Sequence, residues 1–343
     1  MLYLIRAIER SVRRHLTSDL NRQRFDRAKQ FVDETKKRGG GGDKTLVTHA
    51  RWLKFLCGRK AVQDHLWPEE TAFLRDFATL IGVPPAERRQ FIALSLLGLL
   101  WREWCFNALW KGPPELVARL TRVSGWEHFD RCREDGRGLI LLPVHGQFSR
   151  LFQPYLRYRG YDALEVGITN DRLELKGILT PAAKRFELAR QMHAAKHLLA
   201  RGGIACNLPD ARQNLDNSRL VEFFGRQRQL AAGFAELALA TGAHVMPIAY
   251  RFSPRGTFAM EFAAPFHVPG PESAHEQRVD SLVAQYANFL RDEWRRYPWN
   301  VHWGHLRYYC KLPKIGADSL PERGNVSAPS EGASDDAREE FAR

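Results

Sequence analysis

The sequence has no run of apolar residues long enough to cross a bilayer. The longest, FIALSLLGLLW at residues 91–101, stops at Arg102 and Glu103, well short of the roughly 18–20 residues a helical span requires. It reads instead as a buried helix. No secretory leader is expected, because Arg6, Glu9, Arg10, Arg13 and Arg14 interrupt any apolar stretch among these first residues. Cysteine is sparse: Cys57, Cys105, Cys132, Cys206 and Cys310 are scattered, and none forms a CxxC pair. That supports neither a disulfide framework nor a zinc site, and it points to a reducing, cytosol-facing location. Acidic residues are outnumbered, 39 against 52 Lys and Arg, for a formal charge of +13. Partners are therefore expected to be anionic: nucleic acid, a phospholipid surface or a phosphate-bearing substrate. Nucleic acid ranks last, since no helix-turn-helix signature, zinc pattern or RNP-like aromatic motif accompanies the charge.

What is present organises into three parts. Residues 1–45 begin with MLYLIRAIERSVRRHL, where Leu4, Ile5, Ile8, Val12 and Leu16 recur at helical spacing between arginines. Such a basic amphipathic helix lies on an anionic membrane surface or packs on its own domain. KKRGGGGDKT, residues 36–45, is a flexible break. Residues 46–312 form the main body, helical to about residue 120 and then, from Gly138, alternating strand and helix patterns. The strands are LILLPV, ALEVGI, IACNL, HVMPIAYRF and TFAMEFAAPF; PDARQNLDNSRLVEFFGRQ, residues 209–227, reads as a loop. Strands alternating with helices predict an α/β fold with a mostly parallel central sheet flanked by helices, behind a helical N-terminal region. Residues 313–343 turn to Ser, Gly, Ala, Pro and acids and read as a disordered tail.

The chemistry concentrates at LILLPVHGQFSRLF, residues 139–152. Ligands in open α/β sheets bind beyond the carboxyl ends of strands, and His145 falls there. Gly146 leaves room for close approach, and a neutral imidazole in that place can take a proton from a hydroxyl or amine. A satisfied structural histidine is the alternative.

The order of motifs sharpens that reading. Gly138 and His145 come first, then Leu208-Pro209-Asp210, Phe223-Phe224-Gly225, Thr241-Gly242-Ala243 with Pro247, and WGHLRY at residues 303–308. Over roughly residues 90–310 this series resembles the lipid A late acyltransferases and their relatives, the phosphatidylinositol mannoside acyltransferases. The resemblance implies a glycerolipid-acyltransferase-like fold. It also implies transfer of a fatty acyl group from an acyl carrier protein or coenzyme A thioester to a hydroxyl, or an amine, of a lipid or glycolipid. His145 is then the general base, acting directly without an acyl-enzyme, and neither a cofactor nor a metal is needed. A site at the cytoplasmic face of the inner membrane, with an anionic lipid surface as partner, follows.

One position departs from that pattern. The family carries Asp or Glu five residues after the histidine; this chain carries Arg150, which cannot accept an imidazole N–H. Either another acid serves or the chain keeps the fold and binds lipid or carrier without turnover. Asp210, in the family's own acidic turn after strand IACNL, is the substitute expected at the same sheet edge as His145; a turn cap is its other reading. Glu165, expected to face solvent, and Asp171 are weaker candidates. Arg150 could hold a phosphate or the thioester oxyanion, with Gln147 and Ser149 beside it. Arg212, Arg226 and Arg228, flanking the LPD and FFG turns, suit an anionic headgroup or the carrier's phosphopantetheine.

Overall fold

The computed structural model of the chain describes residues 68–166, 181–210 and 217–312, with isolated positions between 47 and 63. The expected basic helix, the Gly-rich break and the acidic tail lie outside the described residues, as do Asp171 and Arg212.

Two helices lead into the sheet. α1 (Pro68–Leu80) is followed by α2 (Pro85–Lys111), which opens on a proline whose missing N–H is not needed there. In the middle of α2, Phe91, Ile92, Leu94, Leu96, Leu97 and Trp101 are all buried, so the apolar run is core as its composition predicts. Trp101 stacks on Phe258 at 5.2 Å between ring centroids and packs against Phe148 at 5.1 Å, which ties this helix to the sheet behind the site. α3 (Pro114–Leu120) then runs directly into the first strand.

Among the described residues, six strands form one sheet: β1 (Thr121–Ser124), β2 (Leu139–Pro143), β3 (Leu164–Val166), β4 (Ile204–Asn207), β7 (His244–Phe252) and β8 (Phe258–Phe262). Their order is β1-β8-β7-β2-β4-β3. Four of the pairings are parallel, and β7–β8 alone is antiparallel, so the sheet is mixed but mostly parallel, as expected. β2 is central and buried along its whole length, which explains why its sequence is a continuous apolar run rather than an alternating one. Helices α4 (Trp126–Glu134), α5 (Phe152–Tyr158), α6 (Pro181–Leu199), α7 (Gly233–Thr241) and α8 (His275–Arg296) surround the sheet, and α9 (Trp303–Cys310) closes the described chain. α8 buries Val279, Leu282, Val283, Tyr286, Ala287, Leu290 and Trp294, a stripe at helical spacing.

Two elements were not legible as strands. β1 follows α3 without a break, just past the stretch expected to be helical and where no strand was expected, and its partner β8 lies more than a hundred residues away. The expected loop at residues 209–227 contains a hairpin, β5 (Ser218–Phe223) with β6 (Arg226–Ala231). Phe224 and Gly225 form its two-residue turn with φ of 49° and 71°, the positive values that a tight hairpin turn needs. Phenylalanine is costly there, and its carbonyl accepts a 2.7 Å hydrogen bond from the Tyr309 hydroxyl. The FFG motif is thus a hairpin tip clamped by α9.

Candidate active site

Register places the two sequence-nominated residues together. Leu139 pairs with Ile204 and Leu141 with Cys206, so β2 and β4 end at the same edge of the sheet. His145 follows β2, Asp210 follows β4, and an Asp210 carboxylate oxygen accepts the His145 backbone N–H at 3.2 Å. One ring nitrogen of His145, one of His305 and one carboxylate oxygen of Asp210 lie within 4.8 Å of one another. The His145 Nδ1 and Asp210 Oδ1 atoms are both buried and lack hydrogen-bond partners among the described residues.

The loop carrying His145 is stitched to the segment before α9. Gln147 N–H donates to the Asn300 carbonyl at 2.8 Å, and His302 N–H donates to the His145 carbonyl at 3.3 Å. Gln147 and Ser149, expected to reach a substrate, are instead buried and turned onto backbone. The Gln147 amide donates to the Val301 carbonyl and the Ser149 hydroxyl to the Gly146 carbonyl, each at 3.1 Å. Both brace the loop, because a buried polar head without a partner would cost stability.

Arg228 sits beneath the site rather than on its rim. It is 1 % exposed, so no headgroup or phosphopantetheine reaches it. β6 delivers its guanidinium against the rings of Phe223 and Trp294, at 4.9 and 5.1 Å from their centroids. One of its N–H groups donates to the Asp210 carbonyl at 3.1 Å and stands 3.9 Å from the carboxylate. Its role is counter-ion to a fully buried acid. Arg226 is likewise engaged, donating to the Leu312 carbonyl and lying 5.6 Å from the Tyr309 ring.

Arg150 reaches away towards β3. It pairs with Glu165 at 3.6 Å and lies over the Trp110 ring at 5.3 Å. Glu165 is therefore an ion-pair partner, not a solvent-facing side chain. Both line a small cleft at the strand ends, with Pro143, Ser149, Cys206 and Leu208.

Burial is the main cause that lowers the His145 pKa from its ordinary 6.5, and the positive charges of Arg228, Arg150 and Arg102 add to it; Asp210 opposes them. The net result is a neutral imidazole at physiological pH, the form that accepts a proton. Burial raises the Tyr286 phenol well above its usual range, with Asp210 reinforcing the shift, and its hydroxyl donates to the Pro143 carbonyl at 3.3 Å.

Sequence reasoning missed His305, whose ring packs on His145 at 4.0 Å between centroids, 32° from parallel. The signal was available: His302 and His305 stand three apart in HWGHLRY, which puts both on one side of a helix start. His145, Asp210 and His305 have the donor types of a metal site. The Arg228 guanidinium, 3.4 Å from His305 and 3.9 Å from Asp210, sets a fixed positive charge against the same atoms, so the residues fit a proton-handling cluster better than a divalent cation.

The family model for bacterial lipid A biosynthesis acyltransferases matches residues 60–299. A phosphatidylinositol mannoside acyltransferase of Mycobacterium tuberculosis is 26 % identical over 260 residues, 67 % of this chain and 76 % of that protein, in both the CDC 1551 and H37Rv strains. Among solved structures, the chain is similar to the 1-acyl-sn-glycerophosphate acyltransferase of Thermotoga maritima at 16 % identity and a TM-score of 0.30, covering 64 % of this chain and 95 % of that one. The match over residues 60–299 settles the family: the chain is an acyltransferase and belongs to the bacterial lipid A biosynthesis acyltransferase family.

Proposed function

We propose that the protein moves a fatty acyl group from an acyl carrier protein or coenzyme A thioester to a hydroxyl, or an amine, of a lipid or glycolipid, with His145 as general base. The observation that carries this is the juxtaposition of His145, at the carboxyl end of the central strand, with the buried carboxylate of Asp210. In the forward step the acceptor O–H bond breaks and its proton passes to His145 while the oxygen attacks the thioester carbonyl. The carbon–sulfur bond then breaks, and the leaving thiolate takes the proton back from the imidazolium. No acyl-enzyme forms and no cofactor or metal takes part.

Asp210 fills the role that Arg150 cannot. It orients the imidazole and stabilises its protonated form, as a carboxylate does in a Ser-His-Asp triad. The Nδ1 of His145 and Oδ1 of Asp210 both lack a partner among the described residues and have the chemistry to pair, and catalytic hydrogen bonds often tighten only with substrate bound. Arg150 lines the strand-end cleft in its pair with Glu165, and a substrate phosphate would compete with that carboxylate for it.

No described helix is long and apolar enough to cross a membrane. The protein works at the cytoplasmic face of the inner membrane, held there by its basic first segment. Loss of binding to anionic liposomes on removal of residues 1–20 tests that placement, and retention contradicts it. For the activity, the protein is incubated with acyl-coenzyme A or acyl carrier protein donors and a bacterial lipid extract, then lipids are weighed by mass spectrometry. A lipid heavier by one acyl chain identifies donor and acceptor together; an unchanged extract with both donors, across several chain lengths, overturns the reading.

A further inference from the structure

We propose that His305 is a positioning residue of the transfer site, fixed by Arg228 as a neutral ring that supports His145 as it gains and returns the proton. The inference rests on the reading of His145 as base, but its starting point is a hydrogen-bond constraint independent of that reading. The Arg228 Nη2 stands 3.4 Å from His305 Nδ1. A guanidinium has only donors and keeps its charge in proteins. His305 Nδ1 must therefore be the acceptor, so its ring proton sits on Nε2 and the ring is uncharged.

Two features hold that state. His305 is the third residue of α9, whose positive N-terminal end opposes an imidazolium. It is also 4 % exposed, so a second charge beside buried Arg228 would be poorly solvated. Titratable and charged groups that also face it include Asp210, 4.0 Å from Nδ1; His145, 4.0 Å between ring centroids; and His302, 6.0 Å between ring centroids, with Tyr286 interacting with Asp210.

The consequence lies in charge bookkeeping. Arg228 and Asp210 cancel, and two neutral histidines remain stacked. When His145 takes the acceptor's proton, the single new positive charge meets a neutral aromatic ring and a nearby carboxylate, both favourable. A second protonated histidine would make that stack repulsive. Arg228 thus keeps the second ring out of the titration, and the site gains one proton, on one known side chain.

Two measurements test this, and the first does not require turnover. Long-range proton–nitrogen NMR of the histidine rings, with His305 assigned from the spectrum of His305→Gln, reads tautomer and charge directly. The expected result is a neutral Nε2–H ring for His305 between about pH 5 and 8, while His145 titrates below its ordinary 6.5. A proton on Nδ1, or a charged His305 near pH 7, overturns the proposal even if transfer by His145 stands. The second compares kcat and KM of His305→Gln with those of His305→Phe. Glutamine keeps an acceptor for Arg228, whereas phenylalanine keeps only the packing. A positioning role predicts that phenylalanine lowers kcat on the order of 10- to 100-fold with KM little changed, and that glutamine recovers part of the loss. A phenylalanine variant as active as wild type, or better than the glutamine one, reduces His305 to a packing residue. If wild type itself transfers no acyl group, the function reading fails and the NMR result remains to judge His305.

Discussion

Replacing Asp210 by asparagine separates the catalytic role proposed for this carboxylate from its role as counter-ion to Arg228. The side chain is fully buried, 3.2 Å from the His145 backbone N–H and 3.9 Å from Arg228. Asparagine keeps the shape and removes the charge. For catalysis, losing an orienting carboxylate costs on the order of 10⁴ in kcat. For folding, Arg228 becomes a buried cation without its counter-ion, which costs about 3–5 kcal/mol. At roughly 2–4 °C per kcal/mol for a chain of this size, the Tm should fall by about 6–20 °C. Pairing Asp210→Asn with Arg228→Gln removes both charges, so the double variant should regain most of the Tm and none of the activity. The assay is thiol release under saturating donor beside a thermal melt of each variant. Recovery of turnover along with stability would refute the reasoning, because the loss in the single variant would then be a folding defect. Retention of more than a tenth of wild-type kcat by the single variant would refute it as well.

Other perturbations have signs fixed by the same geometry. The folded-state pKa of His145 lies below 6.5, so the base stays neutral and kcat/KM should hold as pH drops to 6.5 and fall only in more acid solution; an acid limb centred above 6.5 contradicts this. The same depressed value means that the unfolded chain binds the proton more readily, so the stability this histidine contributes is present above pH 6.5 and lost as pH falls below it, visible as a lower Tm. Arg150 lowers the His145 pKa, so Arg150→Gln should move the acid limb to higher pH. Because the Arg150–Glu165 pair is part-exposed, that substitution should change stability by no more than about 1 kcal/mol; a limb that stays put or moves down contradicts the electrostatics. Gly125→Ala adds a Cβ 1.9 Å from the Phe262 carbonyl oxygen at φ of 70°, so α4 and β8 must part. A melt within a degree of wild type would show that this contact is relaxed.

Much of the architecture was legible because local patterns and global fold agree. Buried β2 reads as an apolar run, α8 as an amphipathic helix, and His145 and Asp210 each follow a strand of parallel sheet. Parallel neighbours end at one edge, so the two residues could be expected to meet without knowing the intervening chain. What escaped depends on contacts distant in sequence. β1, Thr-Arg-Val-Ser, is short and mostly polar, and it becomes a strand through its partner β8. The hairpin at residues 218–231 carries Arg219, Glu222, Arg226 and Arg228, a composition that reads as surface. Yet β6 turns Arg228 inward against Trp294 of α8 and the Asp210 carbonyl, 18 residues away. A buried arginine is legible only through its partners. His305 was hidden for the same reason, since its stacking partner lies 160 residues earlier in the chain.

The account stands on His145 as the base. The most direct test is thiol release from acyl carrier protein and coenzyme A thioesters with a bacterial lipid extract as acceptor, run side by side with wild type and His145→Ala, both verified as folded. Release by wild type together with silence from the variant is the predicted result. Equal release by both would contradict the assignment and move the search for the base to another side chain of the site.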